Sequence, residues 1–257
     1  MKRTAAAAAL LALLIALAGC GGGGDDSSGG DPELVVFAAS SLEPAFEKYG
    51  AEFKGADVQF SFAGSDDLAA QIRQGVIPDV YAAANTDLPD ELAKDGLLQE
   101  PRTFATNKLV IGVPTDSDIT GVSDLEDPDV TLAIGEKDVP VGSYTREVLS
   151  ALPADESKAI LDNVESEEPD VAGIVAKLTQ GAVDAGFVYQ SDVDASSGRL
   201  KAIELPKSIS PDVAYGIAVT TDANEPALAQ EFVDGARQGA GQKILLESGF
   251  GPPPPGS

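Results

Sequence analysis

The sequence predicts an α/β protein with parallel-rich sheets and flanking helices, long enough for two small lobes with a ligand cleft between them or for one large domain. Three observations predict it. Short β-rich runs alternate with runs of helical character, which is the grammar of βαβ units. The 257-residue chain leaves, between a glycine-rich start and a proline-rich end, enough residues for two small lobes that fold on apolar cores. Strand-to-helix turns repeatedly carry small or hydroxyl residues, and open α/β sheets take ligands in the crevice beyond the C-terminal ends of their strands.

The elements follow in order. ELVVFA (33–38) reads as the first strand, and a helix follows over about 42–54. DVQFSFA (57–63) is a second strand before a helix over about 66–74, and PDVYAAA (78–84) is a third. A short helix over 89–94 leads to strands at 108–113 and 130–134, then to a helix beginning near Gly142. Asp170 is the expected N-cap of a helix over 171–179, with Pro169 ending what precedes it. A strand over 184–189 ends on Tyr189. Strands near 202–205 and 213–219 and helices over 225–237 and 241–247 complete the chain. The acidic run 165–170 reads as surface. The segment from Asp192 to Ser196 begins like an EF-hand loop but has Ser197 at position six and Ile203 at position twelve, so it reads as a solvated loop.

The two ends carry different information. Lys2 and Arg3, an apolar stretch to Leu17 and the sequence Leu17-Ala18-Gly19-Cys20 have the layout of an export signal. That stretch is shorter than the roughly 20 apolar residues of a spanning helix. Cys20 is the single cysteine of the chain and stands where a bacterial lipobox would be cleaved and acylated. Residues 1–19 are therefore expected to be a lipoprotein signal peptide and 20–31 a flexible tether of Gly, Ser and Asp. Residues 252–257 form a proline-rich tail. The expected location is extracytoplasmic, anchored to the cell membrane through Cys20.

Composition removes whole classes of function. The formal charge of −25 becomes more negative once Lys2 and Arg3 depart, so nucleic acid is not an expected partner. With no histidine, histidine-ligated zinc sites and Ser-His-Asp or Cys-His catalysis are out of reach. No tryptophan is present, which weakens sugar-stacking platforms and aromatic cages. No serine is followed three residues later by lysine. The chain is expected to be no enzyme. A surface hydrolase using Ser41 or Ser65 would lack a histidine base.

Three turns can hold an anion: Ala39-Ser40-Ser41, Gly64-Ser65-Asp66 and Val141-Gly142-Ser143. At a helix start the first N–H groups lack intrahelical partners, and the peptide dipoles add partial positive charge. Serine adds a hydroxyl donor, although serines at such positions commonly only cap their own helix. Asp170-Val171 opens a fourth helix, and Tyr189 ends a strand on the side where parallel sheets bind ligands.

At these same turns the sequence resembles the periplasmic molybdate-binding proteins of molybdenum ABC importers, a type II solute-binding family. The resemblance rests on FAASSL (37–42), FAGSDDLAAQIRQG (62–75) with PDVYAAA (78–84), NKLVIGVP (107–114), VPVGSYTREVL (139–149), DAGFVYQSD (184–192) and ILLESGF (244–250), in that order. It implies the two-lobed periplasmic binding protein fold, with lobe 1 over 32–112 and 216–251 and lobe 2 over 113–215. It implies molybdate held by the hydroxyls of Ser41 and Ser65, the backbone amides of Val141 and Val171 and the hydroxyl of Tyr189. No protein atom would bind the metal directly, and no cofactor would be needed. The implied partner is an ABC transporter permease, and a monomer is expected. Three departures bear on the site: Asp66 stands where the family often has a second serine, Ala172 replaces a common arginine, and Ser40 stands in place of the usual alanine as a candidate further ligand. Tungstate, sulfate or another small anion could take molybdate's place, and a sensory lipoprotein could carry the same sequence.

Overall fold

The computed structural model describes residues 31–255; the expected signal peptide, Cys20 and most of the expected tether lie outside them. The first β-α alternation comprises β1 (Glu33–Ala39), α1 (Glu43–Glu52), β2 (Asp57–Ala63), α2 (Ser65–Arg73), β3 (Val80–Ala83), α3 (Asp87–Lys94) and β4 (Arg102–Asn107). A 3-10 turn, Ser40–Leu42, joins β1 to α1. After the crossing come β5 (Leu109–Pro114), β6 (Leu132–Gly135), α4 (Pro140–Ser150), α5 (Ala154–Asp162) and β7 (Val164–Glu168). Then follow α6 (Val171–Thr179), β8 (Ala185–Tyr189), α7 (Gln190–Ala195) and β9 (Leu200–Glu204). The chain returns through β10 (Val213–Val219) to α8 (Pro226–Gln238) and α9 (Ala240–Glu247).

These strands form two five-stranded sheets, ordered β2-β1-β3-β10-β4 and β7-β6-β8-β5-β9. In each sheet three neighbouring strands are parallel and the fourth runs antiparallel to them. That fourth strand is always the one that has just crossed over: β5 leaves the first sheet to join the second, and β10 comes back. The expected lobe limits at 112 and 215 fall inside β5 and β10, and the crossings themselves lie at Lys108 and between Glu204 and Val213.

Side-chain alternation explains why helices cover both faces of the first sheet. Val36, Ala38, Val80 and Ala82 face one core, whereas Phe37, Tyr81 and Ala83 face another, as the period of two requires. On the first face Phe46 of α1 packs edge-on to Phe232 of α8, with ring centroids 5.5 Å apart. On the second, Leu68 and Ile72 of α2 and Leu92 of α3 cover Phe37 and Tyr81. In the second sheet β8 is buried at every position, because β6 and β5 flank it and α6 covers it with Ile174 and Leu178.

Four elements were not legible in the sequence. β4 and α5 lack a strong apolar period. β7, with the sequence VESEE, is the acidic run read as surface; it pairs with β6 as an edge strand, and its exposed and half-buried residues alternate. α7 occupies the segment read as a solvated loop. Asp192 there accepts the Tyr189 N–H at 2.8 Å and so caps a helix, and Val193 is buried.

Candidate functional site

The turns after β1, β2, β6 and β7 and the end of β8 line one cavity between the two sheets. Its volume is about 20 Å³. One water needs about 10–15 Å³, so the space suits a guest of a few atoms and not a sugar or a peptide. All five residues picked out by the sequence line it.

Ser41 sits in the 3-10 turn after β1 and is 4 % exposed. Its Oγ lies 2.9 Å from the Tyr215 hydroxyl. Ser65 is the first residue of α2, and its Oγ accepts the Ala84 N–H at 3.1 Å. With that acceptor role filled, the Ser65 proton is free to be donated into the cavity. Tyr81 donates to the Ser65 carbonyl at 2.7 Å, which fixes the turn from behind. Ser40 lines the same space.

On the opposite side Pro140 occupies the first position of α4 and has no N–H, so Val141 carries the first free amide of that helix. Gly142 is required for this approach, because a Cβ there would stand 1.8 Å from the Glu136 carbonyl oxygen. Val171 opens α6, and Asp170 turns its carboxylate back to accept the Gly173 N–H at 2.9 Å. The Val171 N–H is left to face the cavity. Tyr189, the last residue of β8, is 1 % exposed, and its buried hydroxyl has no hydrogen-bond partner in the protein. Burial, followed by the neighbouring Tyr215, pushes the Tyr189 phenol well above its ordinary pKa, so it stays a proton donor.

No lysine or arginine lines the cavity. Positive potential comes instead from helix starts, whose dipoles point their positive ends inward. Asp66, whose orientation the sequence left open, does not line the cavity. One of its carboxylate oxygens is nevertheless buried without a partner at the seam between the sheets. Burial is the main cause that raises its pKa, and the charges of Asp67 and Glu136 add to it. Gly64 faces Pro169 across that seam; a Cβ on Gly64 would lie 2.5 Å from the Pro169 carbonyl oxygen. Sequence reasoning did not find Tyr215 and Asn107, which stand behind Ser41. Both belong to strands far from it in the chain, and neither lies in a turn with a recognisable signature.

Comparison with known proteins agrees with this architecture. The family of bacterial extracellular solute-binding proteins matches residues 34–251. The molybdate-binding protein ModA of Mycobacterium bovis is 38 % identical over 227 residues, covering 86 % of this chain and 85 % of that protein. The periplasmic molybdate-binding protein of Azotobacter vinelandii superposes with a TM-score of 0.76 at 20 % identity, covering 86 % of this chain and 99 % of that one. The sulfate-binding protein SubI from Mycobacterium tuberculosis does so with a TM-score of 0.77 at 16 % identity, covering 87 % and 88 %. At such identities these two structures speak for the fold alone. Because the family match runs from β1 through α9, on a fold those structures share, the chain belongs to the bacterial extracellular solute-binding proteins.

Proposed function

We propose that this protein captures molybdate outside the cytoplasm and delivers it to the membrane permease of an ABC importer. The observation that carries the reading is the convergence of five donors on one cavity, with the Tyr189 hydroxyl buried and unpartnered among them. In this reading Ser41, Ser65 and Tyr189 donate hydroxyl protons, and Val141 and Val171 donate backbone N–H groups. A fully deprotonated tetrahedral dianion offers only acceptors, which is the complement of such a cage. A protonated oxyanion would bring a donor that none of these five groups is arranged to accept, and a buried unmet donor costs about 1–3 kcal/mol. The mycobacterial relative's name supports molybdate, and tungstate shares its shape and charge.

Net charge does not oppose this. Contact hydrogen bonds act at about 3 Å, whereas exposed carboxylates beyond a Debye length of about 8 Å are largely screened. The protein alters no bond of its cargo and uses no cofactor. Closure of the two lobes over the anion makes the surface that the permease reads. Acylation of Cys20 tethers the monomeric domain to the membrane, and the expected signal layout supports that step. Sulfate is likewise an unprotonated dianion, so preference between the two rests on cavity size. Isothermal titration of the purified protein with molybdate, alone and in competition with sulfate, tests the reading. Binding at micromolar concentration or tighter, about −8 kcal/mol or more, is the expected outcome. Absence of molybdate binding at that level refutes it, and displacement by equimolar sulfate assigns the cargo to sulfate.

A further inference from the structure

We propose that Asn107 and Tyr215 are positioning residues that set the direction of the Ser41 proton, making Ser41 an obligate donor to the bound anion. The proposal rests on the reading of the cavity as an oxyanion site. It follows from accounting for protons in a buried chain of four side chains, each 8 % exposed or less: Asn107, Ser191, Tyr215 and Ser41.

The accounting starts at the crossing between the sheets. The Lys108 N–H donates to Asn107 Oδ1 at 2.8 Å, which fixes the amide so that Nδ2 faces the other way. An amide nitrogen only donates. Asn107 Nδ2 gives one proton to Ser191 Oγ at 2.9 Å and another to the Tyr215 hydroxyl at 3.4 Å. Tyr215 is thereby an acceptor toward Asn107, and its own proton needs an acceptor elsewhere. Ser41 Oγ, at 2.9 Å, is its remaining hydrogen-bond neighbour. Ser41 accepts from Tyr215, and its own proton is left for the cavity it lines.

Without the relay a serine hydroxyl can either donate or accept by rotating, so it discriminates poorly between a bare and a protonated oxyanion. With it, the donor direction is set before the ligand arrives, and no reorientation is needed on binding. The relay also joins the two lobes: Ser41, Asn107 and Tyr215 belong to elements of the first sheet's lobe, whereas Ser191 lies in α7 beside the second sheet. Tyr215 further stacks edge-on to Tyr189, with centroids 5.8 Å apart, so a purely packing role is the competing explanation.

A double-mutant cycle separates the two. Molybdate is titrated into the purified wild type, Tyr215→Phe, Ser41→Ala and the double variant, with thermal melting as the control for folding. Tyr215→Phe keeps the ring and its packing and removes only the hydroxyl. The expected result is a loss of about tenfold in affinity for Tyr215→Phe in the wild-type background and of less than about twofold in the Ser41→Ala background. Asn107→Leu gives an independent cycle, because an uncharged side chain of similar size cannot donate to the Tyr215 hydroxyl, which is then free to accept the Ser41 proton. It too is expected to weaken binding about tenfold, and only while Ser41 is present; it carries the test if Tyr215→Phe loses its melting transition. Additive effects, or wild-type affinity in both variants, overturn the relay while leaving molybdate binding intact. A wild type that does not bind molybdate overturns the functional reading and the relay with it.

Discussion

Single atoms decide how strongly this cavity favours charge. The Tyr189 hydroxyl is buried and unpartnered in the protein, a condition that costs about 1–3 kcal/mol and is relieved by an acceptor from outside the chain. Asp66 acts in the opposite direction. Its partly buried carboxylate lies one residue from Ser65, and burial raises its pKa, so it gains a proton more readily than an exposed aspartate as pH falls. Protonation removes a negative charge near the anion, and molybdate affinity is therefore expected to rise as pH falls through the Asp66 titration. Asp66→Asn is expected to bind about three- to tenfold tighter at pH 7.5, of the order of 1 kcal/mol, and to lose that part of the pH slope. Calorimetry across pH checks it, and a weaker-binding Asp66→Asn would place the carboxylate among the groups that support the cage.

Elements contribute through their ends more than their faces. The two sheets repeat one plan, so the turns after β1 and β2 in one correspond to those after β6 and β7 in the other, and the end of β3, at Ala84, corresponds to the end of β8, at Tyr189. Ser41 and Val141 thus occupy equivalent turns, as do Ser65 and Val171. The start of α7 adds a stability switch next to the site. Burial is the main cause that raises the Asp192 carboxyl to about 7, with the Asp170 charge adding to it and the Tyr189 N–H opposing it. In the unfolded chain the same group titrates near 4. Between those values the folded state holds the extra proton, so stability falls as pH rises from about 4 to about 7, and the full cost stands above that range. Asn at this position cannot ionise and still accepts the Tyr189 N–H. Asp192→Asn is expected to raise Tm at pH 8 by about 2–4 °C, roughly 1 kcal/mol for a domain of this size. The gain should vanish near pH 4, and an equal gain at both pH values would refute the assignment to ionisation.

At the scale of the whole molecule the cavity exists because the two halves of the chain meet. Gly64 and Pro169 approach closely beside it. The Gly64 backbone, with φ −57 and ψ 137, suits any residue, so its lack of a side chain answers to the neighbour across the seam and not to the local turn. Gly64→Ala is expected to leave Tm without ligand within about 2 °C of the wild type, because lobes held apart avoid the clash. Molybdate affinity should fall about tenfold or more, because the closed form cannot be reached without displacing the Pro169 carbonyl. Paired melting and calorimetry check this, and an unchanged affinity would show that closure tolerates the added methyl group.

The sequence by itself determined the α/β class and most of the strands and helices, and it picked out five of the residues that line the cavity. These are local properties: apolar periodicity, helix starts and small-residue turns are written over a few neighbouring positions. β7 and α7 were not legible because their acidic residues read as solvent-facing until β6 and Tyr189 supply the partners that hold them. Tertiary structure alone decided that four turns and one strand end face a common point, that Asp66 is caught in the seam, and that Asn107 and Tyr215 stand behind Ser41. Tyr215 lies 174 positions from the serine it touches. Contacts at that separation depend on how two sheets are brought together, and no pattern of neighbouring residues encodes that.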